Sequence, residues 1–153
     1  MTTYRVAKIE DIKELCRLLN ELFTQEAEFT PDEVVQERAL AKIISDESIG
    51  EIFVASHDGE IVAMVNILYT FSTALGAKVA ILEDMIVDER YRGQDIGSSL
   101  MDFALKRIKA KGCKRITLLS DSDNFKAHKF YEKQGFTKSA MIPFRKVIDD
   151  AQA

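Results

Sequence analysis

The sequence predicts an α/β fold in which a mixed, mostly antiparallel sheet carries helices on both faces. Two apolar segments joined by Asp58–Gly59 predict an antiparallel hairpin over 51–70. The order strand, helix, strand between 78 and 120 predicts one parallel β-α-β crossover. Apolar residues that recur every three to four positions predict amphipathic helices elsewhere. The 153 residues are the length of one ordinary domain, so we expect a single domain over 1–153.

Local signals predict the elements that precede the hairpin. Alternating side chains over 4–9 predict a first strand. Asp11 is a suitable N-cap for a first helix, whose apolar period of 3.6 residues continues to about Phe23. The sequence Thr-Pro-Asp-Glu at 30–33 predicts the start of a second helix: the threonine as N-cap, the proline as first helical residue and the glutamate closing a capping box. This helix should end near Ser45.

The elements after the hairpin follow from the same kinds of pattern. An almost wholly apolar strand is expected over 78–87, central and buried. After a glycine-containing loop, an amphipathic helix should run to Gly112, which is a suitable C-terminal cap. A short strand at 115–120 and a helix at 124–134 follow. The segment 136–148 is expected to supply one or two closing strands.

Composition excludes several classes of function. The net charge of −4 and the pI of about 5.3 argue against nucleic-acid binding, which needs a basic face. No apolar run approaches the roughly 20 residues of a membrane-spanning helix. The N-terminus lacks the apolar core of a signal peptide, so we expect a cytoplasmic protein with no membrane partner. The two cysteines and two histidines are scattered rather than clustered, which predicts no bound metal. They are Cys16, Cys113, His57 and His128.

The sequence Arg-Gly-Gln-Asp-Ile-Gly-Ser at 92–98 predicts an anion-binding loop. It follows a buried strand and opens a helix, where free N–H groups and the helix dipole favour negative charge. Gly93 and Gly97 leave the backbone accessible, and Arg92 adds a guanidinium suited to phosphate oxygens. A ligand with a diphosphate fits best. The pattern has neither the Gly-Lys-Ser/Thr of a P-loop nor the three glycines of a dinucleotide-binding motif.

This loop and the later sequence Asn-Phe-Lys-Ala-His-Lys-Phe-Tyr-Glu-Lys-Gln-Gly-Phe at 124–136 together resemble the acetyl-CoA-binding core of the GCN5-related N-acetyltransferase (GNAT) superfamily. The resemblance implies a GNAT-like fold and acetyl-CoA as co-substrate. It also implies the residues that contact the cofactor: the backbone of one strand, the loop, and the start of the later helix at 124–134. These are Met85, Ile86, Val87, Arg92, Gly93, Gln94, Asp95, Ile96, Gly97, Ser98 and Asn124.

Asp95 departs from the family pattern, which has glycine at this place. A carboxylate near a pyrophosphate repels it by about 1 kcal/mol at ~4 Å when solvent screens the charges. Aspartate also tolerates left-handed backbone angles better than most residues. Its side chain could therefore point outward while only its N–H faces the ligand.

Amine acetylation needs a neutral amine and a protonated leaving thiol. An ammonium of pKa about 10.4 loses its proton at a cost of roughly 4.6 kcal/mol at pH 7. Glu83, a carboxylate inside an apolar strand, is the predicted general base, because burial would raise its pKa. Strand alternation places Asp84 on the opposite face, as the reserve. Following the motif, Tyr131 is the predicted general acid toward the thiolate.

The predicted function is an N-acetyltransferase that acts on the primary amine of a small molecule, polyamine-like or an aminoalkylphosphonate. Six acids and no Lys or Arg between Leu18 and Glu37 are compatible with an acidic cover over a cationic substrate, or with a solvated helix. Two alternatives stay open: acetylation of a protein N-terminus or lysine, and an inactive acyl-CoA-binding regulatory module. A homodimer is the open alternative to a monomer.

Overall fold

A five-stranded sheet organises the chain in this computed structural model, which describes residues 1–25 and 32–149. The strands lie in sequence order, β1-β2-β3-β4-β5. The first four pair antiparallel, and β4 and β5 pair parallel, which confirms the predicted mixed sheet with one crossover. The strands are β1 Thr2–Val6, β2 Gly50–His57, β3 Glu60–Ser72, β4 Ala77–Val87 and β5 Ile116–Leu118.

Four α-helices of the described residues cover the sheet, as the apolar periodicity predicts. The first two pack together against one face, and the third packs against the other. The fourth contributes partly buried aromatic side chains to the same side as the third. They are α1 Ile12–Gln25, α2 Glu33–Ile44, α3 Ile96–Ala110 and α4 Phe125–Lys133. Within the described residues, no helix is long and apolar enough to cross a bilayer.

Each face of the sheet has its own apolar core, because neighbouring strand residues point to opposite faces. Phe53 and the helix α3 residue Leu100 belong to one core, and Val54 and Leu18 of α1 belong to the other. All four side chains are fully buried. Burial of each stabilises the fold by about 1.5–3 kcal/mol. The central strands are therefore fixed from both sides, which makes the sheet a rigid support for the loops at its ends.

The turn between β2 and β3 confirms the predicted hairpin. Asp58 has φ 49° and Gly59 has φ 85°, so both central residues adopt left-handed backbone angles. A two-residue turn of this kind matches the twist of antiparallel strands, and Asp-Gly is the sequence that tolerates it.

The start of α2 differs from the prediction. Asp32 is the N-cap, and its carboxylate accepts a hydrogen bond from the N–H of Val35. Glu33 is consequently the first helical residue rather than the third, so it does not close the predicted capping box. Thr30 and Pro31 lie outside the described residues. The first strand also begins and ends earlier than predicted, at Thr2 and Val6.

The predicted closing strands are wrong for the described residues 136–149, which form no strand. Pro143 cannot donate to a ladder, and β5 offers only three residues for pairing. The segment leaves five large apolar side chains exposed. They are Met141, Ile142, Phe144, Val147 and Ile148.

Candidate active site

The loop between β4 and α3 has the backbone of an anion site. Gly93 has φ 79° and Asp95 has φ 62°, whereas Gln94 between them has a negative φ. Alternating signs of φ turn successive N–H groups toward one side, and such concave arrangements bind anions. The N-terminus of α3 begins at Ile96 and adds its dipole. Asp95 thus adopts the left-handed angles expected of it, and its side chain makes no capping hydrogen bond.

Asp88 anchors the beginning of this loop, a role that the sequence analysis missed. Its side chain is 2% exposed. It accepts hydrogen bonds from the N–H and guanidinium of Arg90, and from Arg17 of α1 at 2.8 Å. The hydrogen bonds from Arg90, assisted by Arg17, hold the pKa of Asp88 well below its usual value. The loop is therefore tied to α1 by a carboxylate that stays charged.

The last part of β4 has an open backbone edge beside the loop. Pairing between β4 and β5 stops at Leu82 and Leu118. The N–H of Asp88 bonds to the carbonyl of Val62 on β3, so alternation turns the backbone groups of Met85 and Val87 away from β3. An amide-bearing ligand can pair with such an edge as an added strand does. Of the three residues whose backbone the resemblance implies as cofactor contacts, Met85 and Val87 face this edge and Ile86 faces β3, so the contacts stay a prediction.

Arg92 faces the same edge. Its Nε donates a hydrogen bond to the carbonyl of Val87 at 3.0 Å, and its guanidinium lies 3.9 Å from the carboxylate of Glu21. The guanidinium therefore lies between the loop and α1. Its predicted contact with a phosphate stays a prediction.

Tyr131 lies on α4, which packs against the start of α3. A Cβ built on Gly97 would lie 3.4 Å from the Phe130 ring and from Val87, so this glycine allows close packing of α4 and β4. The Tyr131 ring contacts Phe130 and Phe136, with ring centroids 5.3 and 5.6 Å apart. The predicted acid is thus held on the α3 side of the sheet.

One side-chain hydrogen bond joins the end of α4 to α3, and another caps the start of α4. Gln134 donates to the hydroxyl of Ser98 at 2.8 Å. Asn124, which the family resemblance implies as a cofactor contact, accepts from the N–H of Ala127 and so caps the helix. The helix that carries Tyr131 is therefore joined directly to the first turn of α3.

The carboxylates of β4 do not alternate as predicted. Asn66 pairs with Asp84 across the β3–β4 ladder, but Ile67 pairs with Leu82, so Glu83 is an extra residue in a β-bulge. A bulge interrupts strict alternation. Glu83 and Asp84 consequently line the same cleft instead of opposite faces.

Of the two carboxylates, Asp84 has the environment expected of a base near neutral pH. Its side chain is partly buried, whereas that of Glu83 is exposed. Burial raises the pKa of Asp84 to about 6, against a hydrogen bond from Asn66 that lowers it. The expected burial of Glu83 is therefore wrong, and of the two carboxylates its reserve Asp84 is the partly buried one.

The cleft lies between β4, β5 and the first two helices and has a volume of ≈ 1050 Å³. Two almost fully buried amides, Gln36 of α2 and Asn66 of β3, belong to its lining. Within the described part of the chain, both amide atoms of Gln36 and the Oδ1 of Asn66 lack a hydrogen-bond partner. Neither residue stood out in the sequence, because a single polar residue in a helix or strand resembles a surface position.

The structure thus groups the predicted residues in two sets. The loop, the open edge of β4 and Tyr131 lie together at the start of α3. Glu83 and Asp84 lie in the cleft on the side of α1 and α2, and the edge of β4 connects the two sets.

Comparison with known proteins agrees with this geometry. An uncharacterised N-acetyltransferase of Bacillus subtilis (strain 168) is 27% identical over 135 residues, which cover 86% of this chain and 87% of that one. The aminoalkylphosphonate N-acetyltransferase of Salmonella typhimurium is 27% identical over 85 residues, 56% of this chain and 55% of its own. The crystal structure of a transcriptional regulator from Bacillus halodurans C-125 superposes with a TM-score of 0.81 and 28% identity, covering 97% of this chain and all of that one.

The sequence model of the Acetyltransferase (GNAT) family matches residues 12–136. The match spans most of the chain, from α1 to the end of the Tyr131 motif, and includes the glycine loop. The chain belongs to the GNAT family of acetyltransferases.

Proposed function

We propose that this protein transfers the acetyl group of acetyl-CoA to the primary amine of a small molecule bound in the cleft. The observation that carries the proposal is the position of Asp84. It is a partly buried carboxylate with a pKa of about 6, and it lines a large cleft beside the open edge of β4. A carboxyl group of this pKa is largely unprotonated at pH 7, so it can accept a proton from an ammonium group.

Acetyl-CoA fits the set formed by the loop, the open edge of β4 and Tyr131. The loop 92–98 presents N–H groups and a helix N-terminus to the diphosphate, and the edge at Met85 and Val87 suits the amides of the pantetheine arm. The thioester would then lie where β4 and β5 separate, between the cleft and Tyr131. The residues that bind the cofactor and the two residues that transfer protons would both lie close to this point.

In the proposed reaction, Asp84 accepts the proton that the ammonium group loses, with Glu83 as a second acidic group that attracts the cation. The amine nitrogen forms a bond to the acetyl carbon and loses its second proton to solvent, and the bond from that carbon to sulfur breaks; solvent later returns a proton to Tyr131. Tyr131 donates its hydroxyl proton to the departing thiolate. Tyrosine, with a reference pKa of about 10, is protonated at pH 7 and can act in this way. The scheme uses no metal.

A small-molecule acceptor is supported by one relative whose name specifies its substrate, an aminoalkylphosphonate. The regulatory alternative is supported by the name of the Bacillus halodurans protein, a transcriptional regulator. An acetyltransferase and a regulatory module differ in turnover, because a regulator that only binds acyl-CoA releases no thiol.

The experiment is a panel of small amines and of peptides with free N-termini or lysines, incubated with acetyl-CoA while free thiol is measured. Acetyl transfer to small amines predicts thiol release that depends on the added amine and is faster than with any peptide. A preference for peptides would favour the protein-acetylating alternative. Binding of acetyl-CoA without thiol release would favour the regulatory module.

We also propose, from the sequence and the single sheet, that residues 1–153 act as one domain. The acidic pI supports a protein without nucleic-acid partners, and we propose a cytoplasmic location without membrane partners. The exposed apolar side chains of 141–148 support a homodimer, because such groups favour burial against another surface.

A further inference from the structure

The cleft carries opposite charges in different parts of its lining. Its acidic residues are Glu83 and Asp84 at the β4 bulge and Asp121 beyond the end of β5. Arg115, at the entry to β5, and Arg145, from the C-terminal segment, also line it. Acidic and basic groups in one cleft suit a ligand that itself carries both signs of charge.

The register of β4 and β5 separates Arg115 from the carboxylates. Ile116 lies beside Ala80, so Arg115 lies level with Val79, four residues before Glu83. At about 3.3 Å per residue, the two positions are roughly 13 Å apart along the strands. Flexible side chains shorten this separation, so a compact molecule can contact both.

The residues near the bulge also lack hydrogen-bond partners that a ligand can supply. Asn66 holds Asp84 through its Nδ2 at 3.0 Å, and its Oδ1 has no partner among the described residues. Gln36 has none there for either amide atom, although it is 6% exposed. Buried polar groups are normally paired, so unpaired ones in a cleft indicate groups that a polar ligand satisfies. An ammonium group can donate hydrogen bonds both to Asp84 and to the Asn66 oxygen.

From this distribution we infer that the acceptor is an aliphatic amine that also carries an anionic group such as a phosphate. Its ammonium lies at Asp84 and Asn66, and its anion lies at Arg115, with Arg145 as a second cation of the same cleft. The inference rests on the proposed function and specifies its substrate class. Arginine is suited to binding such an anion, because its planar guanidinium makes two parallel hydrogen bonds to phosphate oxygens and stays charged at all physiological pH values.

The same charges disfavour two other classes of amine. A polyamine would bring a second cation toward Arg115, where like charges repel. A plain alkylamine would lack any group for the arginines to bind. The polyamine-like substrate that the sequence left open is therefore the less suitable one.

The test compares three ligands that share one aminopropyl group: 3-aminopropyl phosphate, 3-aminopropan-1-ol and 1,3-diaminopropane. Binding is measured by isothermal titration in the presence of CoA, which prevents turnover, and thiol release is measured separately with acetyl-CoA. The variants are Arg115→Gln and the control Lys114→Gln, which removes a neighbouring exposed cation that does not line the cleft.

We expect wild-type protein to bind the phosphate at least tenfold more tightly than the alcohol or the diamine. Arg115→Gln should remove most of that preference, and Lys114→Gln should retain it. Equal binding of the three ligands, or unchanged phosphate binding in Arg115→Gln, would overturn the inference. Selective binding of the phosphate without thiol release would support the ligand class and contradict the proposed acetyl transfer instead.

Discussion

At the scale of single residues, the β-bulge determines which carboxylate of β4 is partly buried. The bulge places Glu83 and Asp84 in one cleft and leaves only Asp84 partly buried and bonded to Asn66. Burial disfavours the charged form, which is why the pKa of Asp84 is about 6 rather than 3.8. The residue keeps a basicity that an exposed aspartate lacks, at a cost in stability.

That cost gives a prediction for Asp84→Asn. The folded protein binds more protons than the unfolded chain between the two pKa values, 3.8 and about 6, so wild-type stability falls as pH rises through this window. Above it, the asparagine variant should be more stable than the wild type by up to about 3 kcal/mol, with little gain near pH 4. Denaturant unfolding of both proteins, near pH 4 and at a pH above the window, measures this difference in stability.

The variant should also lose acetyl transfer by at least about 10²-fold. Glu83→Gln is the matched control, because it removes an exposed carboxylate of the same cleft. If Asp84→Asn destabilised the protein equally at both pH values, Asp84 would be a structural hydrogen-bond partner and not a base.

Tyr131→Phe tests the acid. The aromatic ring keeps its contacts with Phe130 and Phe136, so folding and acetyl-CoA binding should survive. We expect kcat to fall by about 10²-fold with the dissociation constant of acetyl-CoA unchanged. Steady-state kinetics and titration calorimetry check the two parts. A kcat equal to that of the wild type would assign thiolate protonation to another group, such as water.

At the scale of elements, the loop before α3 depends on backbone geometry at Asp95. A left-handed angle without a side-chain hydrogen bond is a conformation that glycine adopts without strain. Asp95→Gly removes both the strain and the charge, whereas Asp95→Asn removes the charge alone and keeps a residue that tolerates these angles.

We therefore expect both variants to bind acetyl-CoA more tightly, by up to about 1 kcal/mol, if the carboxylate repels the diphosphate. A gain in the glycine variant alone would assign the effect to the backbone. Weaker binding in both would show that the aspartate assists the ligand, contrary to this account. Calorimetric titration at low and high salt separates the cases, because salt screens the charge term.

Elements with strong local signals could be predicted from the sequence. The Asp58–Gly59 hairpin and the helix that ends at Ala110, two residues before Gly112, are examples, since turn chemistry and apolar period act within a few residues. The bulge could not be predicted, because it depends on how β3 pairs with β4. The role of Asp88 could not be predicted for a similar reason, since Arg17, which donates a hydrogen bond to its carboxylate, is 71 residues away in sequence.

At the scale of the whole molecule, the C-terminal segment is where the apolar pattern and the structure differ most. Its side chains predict strands, but the described residues 136–149 form none and leave five large apolar groups exposed. Apolar side chains in this number need a surface to pack against, and the three residues of β5 offer little such surface. Arg145 of this segment also lines the cleft, so its packing bears on the acceptor site.

We predict that the protein is a homodimer that buries these apolar groups. Light scattering after size-exclusion chromatography should give about twice the mass of the chain, and the double variant Ile142→Asp, Phe144→Asp should shift it toward the monomer. Val34→Asp is the control, because Val34 is equally exposed but lies on α2. A monomeric wild-type protein at micromolar concentration would contradict the prediction.

The central claim is that the chain moves an acetyl group from sulfur to an amine nitrogen in the cleft. The most direct measurement is a parallel count of thiol released and of acetylated amine formed, by mass spectrometry, with wild-type protein and Asp84→Asn. The account predicts one acetylated amine for every thiol released, and a large loss of both in the variant. Thiol release without acetylated amine, or equal rates in the two proteins, would contradict it.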